Sequence, residues 1–173
     1  WSWSRGLGDV YKRQLIKNLV KDLDGNTLVL FNYVEKHGTP LYELINNNVE
    51  SSRKVFFVHG GTDVEDREEV RNLTETESNA IIVASYGTFS TGINIKRLHN
   101  IVFASPSKSR IRNLQSIGRV LRKGEGKDIA TLYDIADDIG GQNYTLKHLN
   151  ERVNIYNNEN FKYEVIRLNL RAN

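Results

Sequence analysis

Two arginines stand one helical turn apart in the segment QSIGRVLRKGEGK (115–127), and guanidinium groups in that arrangement suit phosphate oxygens. Over residues 109–121, apolar residues recur every three or four positions and predict one buried helical stripe: Ile111, Leu114, Ile117 and Leu121. A second stripe, at i, i+3, i+4 and i+7, holds Gln115, Gly118, Arg119 and Arg122. The second stripe predicts an anion site, and a solvated basic helix face is the plainer interpretation of the same spacing.

Charge is distributed unevenly along the chain. Residues 107–127 carry seven basic side chains against a single acid, whereas residues 60–77 carry seven acids against two arginines. The whole chain has a net charge of only +3, and residues 1–14 account for two of those charges. Overall basicity is therefore a weak argument for a nucleic-acid partner, and the argument must rest on where the basic side chains are placed along the chain. The acidic stretch fits a solvated helix face.

Short apolar runs alternate with amphipathic stretches, which is typical of βαβ units and a mostly parallel sheet. Strands are predicted at TLVLF (27–31), KVFFV (54–58), AIIVAS (80–85), NIVFAS (100–105) and ATLYDI (130–135). YEVIRL (163–168) fits either a last strand or the start of a further segment. Helical periodicity covers 15–23, 34–45, 64–73, 109–121 and 146–157, and Asp63 stands at an expected N-cap. The predicted fold is α/β, with helices on both faces of the sheet and a short C-terminal helix-strand extension.

Small polar residues follow several of the predicted strands. The carboxyl ends of parallel strands meet at one edge of a sheet, and ligands bind there. Hydroxyl and N–H groups at such an edge hold phosphates without reading bases. The candidates for contact with a nucleic-acid backbone are Asn32, His59, Gly60, Ser85, Thr88 and Ser90. An ordinary surface histidine and a plain Gly, Ser and Thr turn stay open as interpretations.

Other chemistries have no support in the sequence. The chain has no cysteine and its four histidines are scattered, so we expect it to hold no metal ion by itself. KGEGKD lacks the strand, spacer and hydroxyl residue of a phosphate-binding loop, and neither DVED nor DIADD reads as an acidic box that holds Mg²⁺. No apolar run approaches the ~20 residues that cross a bilayer, so no membrane partner is expected.

Residues 1–14 stand apart from the rest. The chain contains no methionine, and DVYKRQ (9–14) looks like a translated sequencing adapter. We therefore expect the true start of the gene to be missing and residues 1–14 to be a disordered assembly scar, with a disordered natural tail as the alternative. Residues 15–138 are expected to form the main lobe, and residues 139–173 an extension that packs on it.

Several ordered segments resemble the motifs of superfamily-2 helicases. QSIGRVLR matches the Q-x-x-G-R-x-x-R pattern of motif VI. TLVLFNYVEKHGTPLYELI resembles motif IV, VFFVHGGTDVEDREEVR resembles the segment after it, and IIVASYGTFSTGINIKRLHNIVFASP resembles motif V. The likeness covers residues 15–138 and is greatest to phage repair and recombination helicases of the UvsW type. It implies that the chain is the C-terminal RecA-like lobe of a two-lobe helicase.

The resemblance also implies residue roles. Arg119 and Arg122 map onto arginine-finger positions that reach the γ-phosphate of ATP, and Gln115 onto a partner at the same interface. Gly92 and Asn94 map onto the nucleotide side of motif V, where Asn94 replaces the usual acid and brings no charge. ATP and Mg²⁺ would be held mainly by the N-terminal RecA-like lobe of the parent protein.

The resulting expectation is a fragment of an ATP-dependent DNA helicase or translocase, which unwinds or anneals branched DNA in repair or recombination. Its partners would be DNA, or RNA, and the N-terminal lobe, in the cytoplasm of a phage-infected bacterial cell. Without that lobe the chain is expected to be inactive. The alternative is a non-catalytic nucleic-acid-binding or interaction module with a RecA-like fold. A complete single-lobe nucleotide-binding enzyme is disfavoured because the phosphate-binding loop is missing.

Overall fold

Five short strands pair into one sheet in the part of the chain that the structure describes, residues 2–90, 97–105, 130–138 and 144–169. The structure is a computed structural model. The strands are β1 (Thr27–Phe31), β2 (Val55–Val58), β3 (Ile81–Ser85), β4 (Asn100–Phe103) and β5 (Thr131–Asp134). Their order is β2-β3-β1-β4-β5, and every neighbouring pair is parallel. The α/β fold class and these strand predictions are confirmed.

Helices precede, connect and follow the strands. They are α1 (Ser2–Asp22), α2 (Thr39–Asn46), which a π-helical turn (Val34–Gly38) precedes, α3 (Val64–Thr76), α4 (Tyr86–Ser90) and α5 (Tyr144–Asn158). Asp63 occupies the N-cap position of α3 as predicted, although its side chain makes no capping hydrogen bond. The predicted helix over 109–121 lies outside the described residues.

The N-terminal helix is longer than predicted. It begins at Ser2, so residues 2–14, which we expected to be disordered, are helical. Ile16 and Val20 are buried farther along the same helix. Extending a helix that packing already stabilises costs little free energy, because the unfavourable nucleation step is past. This accounts for the extension toward the N-terminus. The interpretation of residues 1–14 as an adapter scar concerns their origin and stays a prediction.

The segment after α5 does not join the sheet. Residues 163–168, which fitted a last strand, pair with none of the five strands. The rings of Phe161 and Tyr163 instead pack near Tyr156 of α5, with centroids 6.4 and 6.3 Å away. These aromatic contacts hold the segment against α5.

Side chains alternate along the strands and give the sheet two apolar faces. On one face, Leu28 and Leu30 of β1 join a buried cluster with side chains of α3 and α5. On the other face, Val29 and Phe31 join a second cluster with side chains of α1 and α2. All four β1 side chains are fully buried. Complete burial of each contributes about 1.5–3 kcal/mol, which explains why the run is continuously apolar.

A buried asparagine closes the amino edge of the sheet, where the strands begin. Asn26 directly precedes β1, and its side chain is fully buried. Its Oδ1 accepts the N–H of Ala80 at 2.8 Å. Its Nδ2 donates to the carbonyl oxygens of Thr74, Glu77 and Arg97 at 3.2, 2.8 and 2.9 Å. One side chain thus joins the end of α3 and the approaches to β3 and β4 to the start of β1.

An arginine closes the same edge beside β2. The Arg53 Nε donates to the carbonyl oxygen of Asn79, just before β3, at 3.0 Å. Its two terminal nitrogens donate, at 3.0, 3.2 and 2.8 Å, to carbonyl oxygens at the end of α1, those of Val20, Lys21 and Leu23. A cation is favourable at a helix C-terminus, where carbonyl groups lack partners within the helix. Arg53 therefore fastens α1 to the sheet.

A buried ion pair fastens α5 to the last strand. Arg152 donates from Nε and Nη2 to the two carboxylate oxygens of Asp134, at 2.6 and 2.8 Å. The Tyr156 hydroxyl donates to the same carboxylate at 2.6 Å. Only 2% of the Arg152 side chain is exposed. Burial alone would lower the pKa of Arg152, but the hydrogen bonds and charge of Asp134 outweigh burial and raise that pKa. The pair therefore stays charged inside the protein.

Replacing the buried asparagine should cost much of the stability. Asn26→Ala leaves the N–H of Ala80 and three carbonyl groups without their partner, and each buried unsatisfied group costs about 1–3 kcal/mol. We expect the free energy of unfolding to fall by about 4 kcal/mol or more, measured as a lower urea midpoint with an unchanged slope. Asn48→Ala is the control. It removes an exposed hydrogen bond from the side-chain amide to the carbonyl oxygen of Leu44 and should change stability by about 0.5 kcal/mol or less. Equal shifts for the two variants would contradict the role of Asn26.

The hydroxyl of Tyr156 should make stability fall in alkali. Burial, and then the charge of Asp134, raise the pKa of Tyr156 above its ordinary value. Its contribution is therefore present below the unfolded pKa of about 10 and is lost as the pH rises beyond it. Urea titrations at neutral pH should show that Tyr156→Phe is less stable than the wild type. In alkali the variant should lose less stability than the wild type, and the difference between the two losses should be up to about 1.4 kcal/mol per pH unit. Tyr163→Phe, which leaves the hydrogen bond between Tyr156 and Asp134 in place, is the control. Parallel pH profiles for Tyr156→Phe and the wild type would refute the assignment.

Candidate nucleic-acid interface

The parallel register brings the residues that follow four neighbouring strands to one edge, the carboxyl edge. Phe31 at the end of β1 pairs with Ser85 of β3, and Leu30 pairs with Phe103 of β4. Val58 at the end of β2 pairs with Ala84. His59 and Ser85 therefore lie at one level, and Asn32 and Ser105 lie one residue farther along β1 and β4, so the four residues follow the order of the strands. Three of these four residues were predicted as backbone contacts from the sequence.

Asn32 and Ser105 extend the pairing of β1 with β4 beyond the last rung of the sheet. The Asn32 backbone N–H donates to Ser105 Oγ at 2.9 Å. The Asn32 Nδ2 donates to the Ser105 carbonyl at 2.7 Å. Sequence reasoning missed Ser105, although a signal was present, because Ser105 ends the run NIVFAS just as Ser85 ends AIIVAS. The structure gives Asn32 a fixed position in which these two donors are already used.

Ser85 and Thr88 point into the protein. They are only 8% and 4% exposed. The two hydroxyl oxygens lie 2.8 Å apart, and the Thr88 N–H donates to Ser85 Oγ at 3.3 Å. This is the geometry of an N-cap, and it starts α4 directly after β3. The two hydroxyl groups therefore fix the backbone of the carboxyl edge from inside the protein.

The loop after β2 is held by bonds of its own. The His59 N–H donates to Thr62 Oγ1 at 3.0 Å, and His59 Nδ1 accepts the N–H of Gly61 at 3.1 Å. Arg67 of α3 donates to the carbonyl oxygens of Thr62 and Gly60 at 2.9 and 3.3 Å. With Nδ1 acting as an acceptor, the neutral imidazole carries its proton on Nε2. His59 can therefore donate a hydrogen bond from Nε2, in a loop that Arg67 makes rigid.

The connection after β1 is a closely packed π-helical turn. The Tyr33 carbonyl accepts the N–H groups of His37 and Gly38 at 2.9 and 3.0 Å. Gly38 is buried, and a Cβ at this position would overlap the ring of Phe31, so this close approach requires glycine. Burial lowers the pKa of His37, and the charge of Lys36 lowers it further. The His37 imidazole is therefore neutral at pH 7.

Positive charge gathers beside Ser105. A cleft next to this residue is lined by three basic side chains, Lys12, Arg13 and Lys36, and by the acid Asp9. Lys12 forms an ion pair with Asp137 at 2.9 Å, and the other two cations of the cleft, Arg13 and Lys36, suit a polyanion. Lys36 is the basic residue of this cleft that lies outside the stretch interpreted as an adapter scar.

The nucleotide-side candidates lie outside the described residues. They are Gly92, Asn94, Gln115, Arg119 and Arg122. Of Ser90, the structure describes the backbone as the last residue of α4. Because α4 directly precedes residues 91–96 in the sequence, it connects the carboxyl edge to the segment that carries Gly92 and Asn94.

Among the described residues, no three His, Cys, Asp or Glu side chains are grouped so that they could hold a metal ion. None of the helices described is both long and apolar enough to span a bilayer.

Known proteins match this chain in sequence and in fold. The family described as the helicase conserved C-terminal domain matches residues 11–124. The ATP-dependent DNA helicase UvsW of Enterobacteria phage T4 is 42% identical, over 85% of this chain and 31% of its own length. The crystal structure of T4 UvsW superposes with a TM-score of 0.71 at 35% identity, covering 93% of this chain and 35% of that chain.

A second structural relative supports the fold alone. It is domain 2 of the DEAD-box helicase Mss116p, bound to an RNA duplex, with a TM-score of 0.64 at 16% identity over 87% of this chain and 56% of that one. The chain spans about a third of the length of T4 UvsW. Because the family match covers more than half of the sequence, this chain belongs to the helicase conserved C-terminal domain family, with a fold like the second RecA-like domains of helicases.

Proposed function

We propose that this chain is the second RecA-like lobe of an ATP-dependent DNA helicase or translocase that unwinds or anneals branched DNA in repair or recombination. The observation that carries the proposal is the 42% identity with a phage ATP-dependent DNA helicase over 85% of the chain. The lobe would work in the cytoplasm of an infected bacterial cell. Its proposed partners are DNA and the N-terminal lobe of the same parent chain.

The nucleotide half of the proposal rests on the arginine stripe. In the parent protein, ATP and Mg²⁺ would bind mainly to the N-terminal lobe, and this lobe would complete the site. Arg122 and Arg119 would neutralise the charge that develops on the transferred phosphoryl group, with Gln115 beside them. Such an arginine contributes ~10³ to 10⁵-fold in turnover. Gly92 and Asn94 would contact the nucleotide from the segment that follows α4.

The nucleic-acid half of the proposal rests on the carboxyl edge. His59 and Gly60 lie in a loop that Arg67 holds in place, and Asn32 is fixed by Ser105. These groups suit contacts to a sugar-phosphate backbone, which position a strand without reading its sequence. Ser85, Thr88 and Ser90 are also proposed to contribute to strand contact. For Ser85 and Thr88 the N-cap supports an indirect contribution, in which their two buried hydroxyl groups hold the start of α4 at this edge.

β3 and α4 connect the two halves along the chain. β3 lies between β2 and β1 and continues directly into α4, which leads to residues 91–96. A shift of the bound strand at the carboxyl edge would therefore move the segment that carries Gly92 and Asn94. This continuity is the physical route by which strand binding and ATP hydrolysis would be coupled.

Removing Arg122 from the parent protein should abolish coupled turnover. In a longer clone that includes the N-terminal lobe, we expect Arg122→Ala to reduce DNA-stimulated ATP hydrolysis about a thousandfold, because the developing charge loses its counter-ion. Binding of ATP, followed by a fluorescent nucleotide analogue, should change little. Arg167→Ala, at an exposed arginine after α5, is the matched control and should keep wild-type turnover.

The 173-residue chain by itself is the second control. It should release phosphate from ATP at the background rate, with or without DNA, since the proposed nucleotide site is completed only by two lobes. Near-normal turnover in the Arg122→Ala parent would remove that arginine from the mechanism. Robust hydrolysis by the chain alone would overturn the two-lobe proposal.

A further inference from the structure

We propose that Tyr33 is a stacking platform for a nucleobase of the bound strand, an inference that rests on the proposed nucleic-acid function of the carboxyl edge. Tyr33 directly follows Asn32 and is 65% exposed, more than any other aromatic residue whose side chain the structure describes. The other aromatic residues at the ends of the central strands are packed inside the protein: Phe31, Tyr86 and Phe103. Of these rings, that of Tyr33 is the one open to solvent.

The backbone on both sides of the ring is anchored. Asn32 is joined to Ser105 by two hydrogen bonds, 2.9 and 2.7 Å long. The Tyr33 carbonyl accepts two N–H groups of the π-helical turn, and Gly38 in that turn presses against Phe31. When the backbone around an exposed ring is already fixed, stacking of a planar group on that ring costs little additional entropy. Single π-helical turns occur frequently at functional sites.

The ring of His37 lies against that of Tyr33. The His37 imidazole is 5.5 Å away between ring centroids, at an interplanar angle of 52°. Burial and the neighbouring Lys36 lower the pKa of His37, so this contact involves a neutral ring at pH 7. The tilted His37 ring supports the tyrosine and leaves its exposed surface accessible to a base.

The surroundings of Tyr33 favour a nucleic-acid strand over an apolar protein surface. Polar and basic residues lie near it along the chain and along the carboxyl edge, namely Asn32, Ser105, Lys36 and His59, together with the acid Glu35. Aromatic rings set among groups that bind a phosphate backbone are the usual platform for single strands. Stacking is tolerant of sequence because every base has a π-face, which fits an edge whose other contacts read no bases.

The test compares a strand that has bases with one that lacks them. Binding of the full 173-residue chain to a fluorescent single-stranded oligodeoxythymidine and to an abasic oligonucleotide of equal length is measured by anisotropy at low salt. Tyr33→Ala should weaken binding to oligodeoxythymidine by about five- to a hundredfold and leave binding to the abasic strand unchanged. Tyr33→Phe should bind like the wild type, because the ring and not the hydroxyl provides the contact.

The control is Tyr163→Ala, which removes an exposed aromatic ring in the segment after α5. It should bind both strands like the wild type. Unchanged binding of Tyr33→Ala to oligodeoxythymidine, or equal losses on both strands, would overturn the stacking role while the proposed function stands. A wild-type chain that binds neither strand would overturn strand binding by this lobe, and the stacking role with it.

Discussion

The parallel pairing of β1 with β3 on one side and β4 on the other is the constraint on which the rest of this structure depends. Parallel strands begin at one edge and end at the opposite edge, so the two edges acquire different chemistry. At the amino edge, Asn26 and Arg53 satisfy backbone groups and join helices to strands. At the carboxyl edge, polar groups such as His59 remain partly exposed. Asn26 and Arg53 therefore stabilise the first edge, and the proposed function lies at the second.

The carboxyl edge is built from two kinds of polar residue. Ser85 and Thr88 are buried and form the cap of α4, so their hydroxyls act on the shape of the backbone. Asn32 and His59 are partly exposed, and each is held in place by hydrogen bonds to its neighbours. An edge that is held in this way keeps its donors in position before a strand arrives, which lowers the entropic cost of binding.

The sequence predicted the five strands because continuous apolar runs are the direct consequence of burial on both faces of a parallel sheet. It also predicted Asn32, His59 and Ser85 at the edge, since strand order does not affect which end of a parallel strand faces the ligand. The roles of Asn26 and Arg53 were not predictable, because their partners lie 26 to 71 residues away in sequence. α4 was missed because five residues are too few to show helical periodicity. The arginine stripe lies outside the described residues and stays a prediction from its motif.

The central claim is that the carboxyl edge, and not the amino edge, receives the nucleic acid. The most direct measurement is a two-dimensional ¹H–¹⁵N NMR titration of the 173-residue chain with a single-stranded oligonucleotide. The account predicts that the largest amide shifts occur at Asn32, Tyr33, His59 and Gly60, while the amides of Asn26 and Arg53 stay in place. Shifts centred on the amino edge or on the acidic helix α3, with the carboxyl edge unchanged, would contradict it.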